Sequence, residues 1–240
     1  MVGRKSVLSL AFLLLCATGL VAQQEAADRE TESSIPELEA FHEVIYPIWH
    51  TAYPSKDTKA LRGFVEQVNA LAQKVYAAEL PGILRDKADK WKQGVAEFRQ
   101  SVEAFQAAAK GTDDQALLSA TEALHTKYET LVRTMAPLTK EVDEFHRLLY
   151  IIYHKYLPDK KWAAIKATGP ELAGLAEPLS TATLPKRLEA RSEKYKAAAA
   201  ALYQAAKELA AECQGDDTAA LEAAIQKVHT KYQELEKIFN

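Results

Sequence analysis

The sequence predicts an all-α protein, an internally duplicated helical bundle of two tandem four-helix repeats. Three observations carry that prediction. Ala, Leu, Glu, Lys and Gln dominate the chain after residue 33, and only 9 of 240 residues are glycine. No strand-like alternation of apolar and polar residues is sustained. Finally, the sequence matches itself without a gap when slid by an offset of 104 residues. Phe41-His42 falls on Phe145-His146, Tyr46 on Tyr150, His50 on His154 and Pro54 on Pro158. Leu80-Pro81 falls on Leu184-Pro185, and the run His125-Thr126-Lys127-Tyr128 returns as His229-Thr230-Lys231-Tyr232. About 29 of 100 aligned positions are identical, the mark of an old duplication.

The elements follow in order. Residues 1–22 read as a cleaved secretory signal peptide: Arg4 and Lys5 open it, Val7 to Leu15 is its apolar run, and Leu20-Val21-Ala22 is the cleavage site. The apolar run is well short of the ~20 residues that span a bilayer, so no membrane span is expected in the mature chain. The alternatives are a short anchor, or a lipoprotein attached through Cys16, where Leu15 stands in place of the usual small residue. Residues 23–33 lack an apolar stripe and read as a disordered leader. Residues 34–136 form the first repeat. Its first helix runs from about Pro36 to Ala52, with a capping box from Ser34 and Glu37. The second covers about Asp57 to Ala78. The third runs from Pro81 to about Lys110 and stops at Gly111. The fourth opens on the Thr112-Asp113-Asp114-Gln115 capping pattern and reaches about Met135. Pro137 separates the halves. Residues 137–240 repeat the plan with helices at about 141–157, 159–179, 185–214 and 217–239. Short connections make sequential helices antiparallel neighbours.

Charge and composition exclude several classes. The formal net charge is −3, and loss of Arg4 and Lys5 with the signal takes it to −5. No basic block appears, so nucleic acid is not an expected partner. A composition 48% hydrophobic and 26% charged is neither disordered nor collagen-like. With Cys16 in the signal, only Cys213 remains, so an internal disulfide is not available to the mature chain. It reads as a buried small hydrophobe.

The candidate site is histidine. All six histidines, His42, His50, His125, His146, His154 and His229, fall into three pairs under the 104-residue shift. Tryptophan behaves differently: Trp49 faces Tyr153, Trp91 faces Tyr195, and Trp162 faces Thr58. Aromatic bulk drifts between the halves while imidazole is kept, which points to the ring nitrogens. At about 100° per residue, Leu38, Phe41, Ile45, Ile48, Trp49 and Ala52 form one buried stripe. His42, Tyr46 and His50 line its margin, as do His146, Tyr150 and His154. On the fourth helix Leu117, Thr121, Leu124, Tyr128 and Met135 form the stripe, and His125 sits at its edge. Antiparallel pairing of the first and fourth helices brings His125 level with about Tyr46. His42 and His50 stand about 12 Å apart along the axis, too far to share one small ion, so His125 completes a site with one of them. Sites mixing the first-helix rows of the two halves fit the sequence equally well.

Glu39-x-x-His42 and Glu122-x-x-His125 place acid and imidazole on one helix face. That spacing resembles the Glu-x-x-His element of ferritin-like di-iron bundles. The second half departs from it, with Asp143 before His146 but Gln226 before His229. Glu39, Glu122, Asp143, Tyr46, Tyr150, Tyr128 and Tyr232 are accessory candidates.

No Gly-rich phosphate loop, Cys-x-x-Cys-His haem motif, zincin motif or nucleophile motif occurs, so the chain is not expected to be an enzyme. Met135 alone remains after the signal, against a Met-rich copper(I) carrier. Imidazole with carboxylate or phenol suits a transition metal ion, Cu(II), Zn(II), Ni(II) or Fe. The expectation is therefore a periplasmic or secreted, non-catalytic metal-binding bundle for uptake, buffering or sensing. The alternatives are a helical interaction scaffold with structural histidines, and a b-type haem protein ligated by the same imidazoles.

Overall fold

The computed structural model describes residues 29–136, 139–184 and 186–238. The signal segment 1–22 lies outside them, as do residues 23–28 of the expected leader; residues 29–31 of that leader are helical. The described residues are all-α, with no strand among them. The chain divides into two compact units, Met1–Ala136 and Pro137–Asn240. No helix of the described residues is long and apolar enough to cross a membrane.

In the first unit α1 spans Pro36–Pro47 and runs straight into a π-helical turn, Ile48–Ala52. Pro36 sits in the first turn, where its missing N–H costs nothing. The capping box expected from Ser34 and Glu37 is not formed. The N-cap is Ile35, no side chain caps it, and Ile35 is buried in the core. The expected second helix is two, α2 (Thr58–Gly63) and α3 (Val65–Ala77), broken at Phe64. A 3₁₀ turn (Gly82–Lys87) precedes α4 (Ala88–Lys110), and α5 spans Asp114–Met135. Gly111 does end α4, with an extended rather than a left-handed backbone. The carboxylate of Asp113, rather than the Thr112 hydroxyl, caps α5 by accepting from the Ala116 N–H at 3.0 Å.

The second unit comprises α6 (Lys140–Ile151) with a π turn at Ile152–Tyr156, then α7 (Trp162–Ala176), α8 (Ser192–Glu212) and α9 (Thr218–Lys237). Two 3₁₀ turns, Glu177–Thr181 and Lys186–Arg191, lie between α7 and α8. Pro170 sits inside α7. Thr139 and Asp217 cap α6 and α9.

Each unit closes as a four-layered ring of neighbours. α1 packs on α3, α3 on α4 and α4 on α5; α6 packs on α7, α7 on α8 and α8 on α9. Ring contacts close the circle in the first unit. Phe41 meets Phe98 edge-on at 4.9 Å and Tyr128 at 5.2 Å. The buried Tyr128 hydroxyl donates to the Leu38 carbonyl at 2.9 Å. In the second unit Phe145 faces Tyr232 at 6.0 Å. The stripes expected on α1 and α5 are the buried ones, except that Trp49 is only half-buried. Cys213 is buried, and burial raises the pKa of its thiol.

The two units turn their first corner in the same way. The Tyr53 N–H donates to Ile48 O at 2.8 Å and the Leu157 N–H to Ile152 O at 2.9 Å, the i to i−5 bonds of a π turn. Lys56 and Lys160 then adopt left-handed backbones, φ 54° and 52°. Around them Asp57 N–H bonds Ala52 O and Lys56 N–H bonds Tyr53 O, with Lys161–Tyr156 and Lys160–Leu157 in the same roles. This is a Schellman stop made with lysine in place of glycine. Pro47 precedes the first π turn, but Ile151 precedes the second, so proline is not its cause.

Candidate functional site

Both π turns are where the histidines gather. A π turn holds one extra residue per turn and re-aims the side chains after it; such turns are frequent at functional sites. The first contains Trp49 and His50, the second Tyr153 and His154. The helix facing each turn, α5 or α9, brings His125 or His229 against it.

In the first unit the half-buried His125 ring stacks on the Trp49 indole, with centroids 3.8 Å apart and planes 7° from parallel. Tyr53 stacks on the other side of the corner, 4.6 Å from Trp49. The Tyr53 hydroxyl donates to Glu122 Oε2 at 3.3 Å. Glu122 precedes His125 by one helical turn, so the stack and the hydrogen bond pin the same stretch of α5. Partial burial, the charge of Glu122 and this hydrogen bond together raise the Tyr53 pKa. Burial lowers the pKa of His125; Glu129 opposes the shift, and His50 and Arg133 add to it. His125 is thus held toward the neutral form, the one that ligates metals. His50 is exposed, with its ring 4.5 Å from Tyr46. His42 is exposed as well, 5.6 Å from Tyr46 on the other side, so the expected row along the helix margin is present.

In the second unit Tyr153 does the work of two residues. It stacks on His229 at 3.7 Å and 6°, and its hydroxyl donates to Gln226 Oε1 at 2.9 Å. His154 packs edge-on against Tyr153 at 4.9 Å and stands 5.9 Å from the His229 ring at 84°. Tyr150 lies 4.9 Å from His154. His146 stacks instead on Tyr232, at 4.3 Å.

The geometry therefore sorts the six histidines. It brings His154 beside His229 and sets His50 near enough to His125 for its charge to lower the His125 pKa, leaving His42 and His146 further up their helices. Of the accessory candidates, only Glu122 and the tyrosines flanking His50 and His154 reach these corners. Tyr128 spends its hydroxyl on the Leu38 carbonyl, and burial pushes its pKa up to about 12. The Tyr232 hydroxyl donates to Glu236, Asp143 pairs with Arg147 at 3.0 Å, and Glu39 is exposed at the start of α1. His125 faces Trp49 rather than Tyr46, about one turn from the level read off the helix ends. Trp49, Tyr53, Tyr153 and Gln226 were not among the expected site residues. The signal for two of them lay in the alignment: an aromatic residue immediately precedes His50 and His154 in both halves.

An ion held at about 2.0–2.1 Å by two imidazole nitrogens sits about 3 Å from each ring centre, so rings sharing an ion stand up to about 6.5 Å apart. The His154–His229 separation of 5.9 Å falls within that reach. Among the described residues no group of three or more His, Cys, Asp or Glu side chains is placed to hold a metal ion. The donor set on offer is a pair of imidazoles. A cavity of about 580 Å³ lined by Thr181, Thr183, Glu189 and Tyr195 also lies in the second unit and includes no histidine. No known protein family, curated protein or solved structure matches this chain.

Proposed function

We propose that the protein is an exported, non-catalytic binder of transition-metal ions with one paired-imidazole site per unit, His50 with His125 and His154 with His229. Its role is uptake, buffering or sensing of the ion in the periplasm or outside the cell. The observation that carries this is the 5.9 Å separation of His154 and His229, each held by a π turn or its facing helix. Two protein ligands leave the remaining positions to water or a small external ligand. Such an open site suits exchangeable rather than structural binding. Imidazole donors favour Cu(II), Zn(II), Ni(II) or Fe(II) over Mg²⁺ and Ca²⁺.

The test is elemental analysis after titration with each of these four ions and dialysis without chelators. Two equivalents retained by the native chain, and one by His125→Ala or His229→Ala, are expected. No retained metal contradicts the proposal.

One observation favours a second reading, a helical interaction scaffold with structural histidines. The near-parallel stacks of His125 on Trp49 and His229 on Tyr153 use these rings for packing. A scaffold retains no metal and loses only stability on the same substitutions. A b-type haem protein is separated from both by a Soret band after addition of hemin.

A further inference from the structure

The cavity of about 580 Å³ in the second unit has the volume of a small-molecule site, and no histidine lines it. It opens beside the 3₁₀ turn Lys186–Arg191 that leads into α8. Its wall is a place where the two halves differ in chemistry. Thr183, Lys186, Glu189 and Ser192 stand where the first half has Glu79, Gly82, Arg85 and Ala88. Lys186 and Glu189 are three apart in the 3₁₀ turn, a spacing at which side chains eclipse, so both charges share one face. Among the described residues neither is ion-paired, and the Thr183 and Ser192 hydroxyls make no hydrogen bond. Lys196, also on the wall, is already paired with Glu193 at 3.3 Å. The cavity therefore offers one uncommitted charge of each sign and two uncommitted hydroxyls. Leu184 and the buried Tyr195 ring give it an apolar side.

A ligand that satisfies all four polar groups carries an ammonium and a carboxylate close together on an apolar body. We propose that this cavity binds a free α-amino acid with an aliphatic side chain. The Glu189 carboxylate accepts from the ammonium. Lys186, with the Thr183 and Ser192 hydroxyls, donates to the carboxylate. The aliphatic chain lies against Leu184 and Tyr195, out of water. Binding here is independent of the imidazole pairs and needs no metal ion.

Titration of the purified chain with L-leucine, followed through its backbone amide resonances, tests this. Isocaproate and isoamylamine are the controls, since each keeps the leucine side chain and only one of its charges. Saturable shifts centred on residues 181–196 are expected from L-leucine at millimolar concentration, with both analogues weaker by at least about tenfold. Lys186→Met and Glu189→Gln should each weaken leucine binding by at least about tenfold, whereas His125→Ala leaves it unchanged. Both replaced side chains are exposed, and unchanged helicity confirms that the variants fold. No saturable shift with L-leucine, equal binding of the two analogues and leucine, or variants that bind as the native chain does overturn the assignment.

Discussion

The two units pack the middle of their longest helices differently: α4 of the first buries Phe98 and Phe105, where α8 of the second buries leucines and alanines. Phe98 and Phe105 of α4 correspond to Leu202 and Leu209 of α8, and Ser101 and Val102 to Ala205 and Ala206. In the first unit Phe41, Phe98 and Tyr128 form the cluster that joins α1, α4 and α5. In the second, Ala199, Ala205 and Ala206 are buried on α8, and Gly169 brings α7 against Cys213 at its end. Both solutions end in the same corner, a π turn carrying a histidine and an aromatic residue that stacks on the histidine opposite. Core side chains differ between α4 and α8, while the placement of imidazole against an aromatic ring is common to both corners. That contrast separates what the fold tolerates from what the corner requires.

Substitutions probe the contrast in descending size. Phe98→Ala should destabilise the first unit by about 3–5 kcal/mol, because no side chain around the aromatic cluster can fill the space. Chemical denaturation read by circular dichroism checks it. Gly169→Ala should cost the second unit about 1–3 kcal/mol, since an added Cβ collides with the Cys213 sulfur. The mirror experiment, Gly94→Ala, meets only the Leu131 Cδ1 methyl at 2.7 Å. That methyl can swing away, and alanine is the better helix former, so Gly94→Ala should be close to neutral.

The paired tyrosines give a smaller difference. Tyr128→Phe leaves the Leu38 carbonyl without its buried donor and should cost about 1 kcal/mol. Tyr232→Phe removes the donor to the Glu236 side chain and should be destabilising too. Lys56→Gly and Lys160→Gly relieve left-handed backbones of about 1 kcal/mol each, offset in part by the greater freedom of glycine in the unfolded chain. A gain of about 0.5 kcal/mol in each unit is expected, measured as a higher melting temperature.

Acidity acts on the first corner as well. The folded-state pKa of His125 lies below its ordinary value of 6.5, with burial as the leading cause. Its contribution to stability is therefore complete above pH 6.5 and is lost as pH falls through the lowered folded value. The melting temperature should fall more gently on acidification in His125→Gln than in the native chain.

Much of the fold was legible because helices advertise themselves by periodicity. The stripes on α1 and α5, the stop at Gly111 and the offset of 104 residues are all visible as spacing. Local hydrogen bonding was not. Ser34 and Glu37 have the letters of a capping box, yet burial of Ile35 sets the N-cap one residue later. Gly63-Phe64 interrupts the second helix with no proline to announce it. A π turn keeps helical composition and burial, so nothing in residues 48–52 or 152–156 marks the change from i−4 to i−5 bonding. In the site, the histidine row on α1 could be read from the 3.6-residue period. The stacking partners could not, because Trp49 facing Tyr153 looks like drift when identity alone is compared. Tyr53 has no counterpart in Leu157; in the second unit it is Tyr153 that bonds the residue one turn before the histidine.

The pairing of imidazoles across each corner is tested most directly by zinc titration of the chain followed through its histidine ring resonances by nuclear magnetic resonance. His50 with His125, and His154 with His229, should shift pairwise with a common midpoint in each pair, while His42 and His146 respond little. Uniform small shifts of all six rings, or none, would contradict paired ligation and leave the stacked histidines as packing residues.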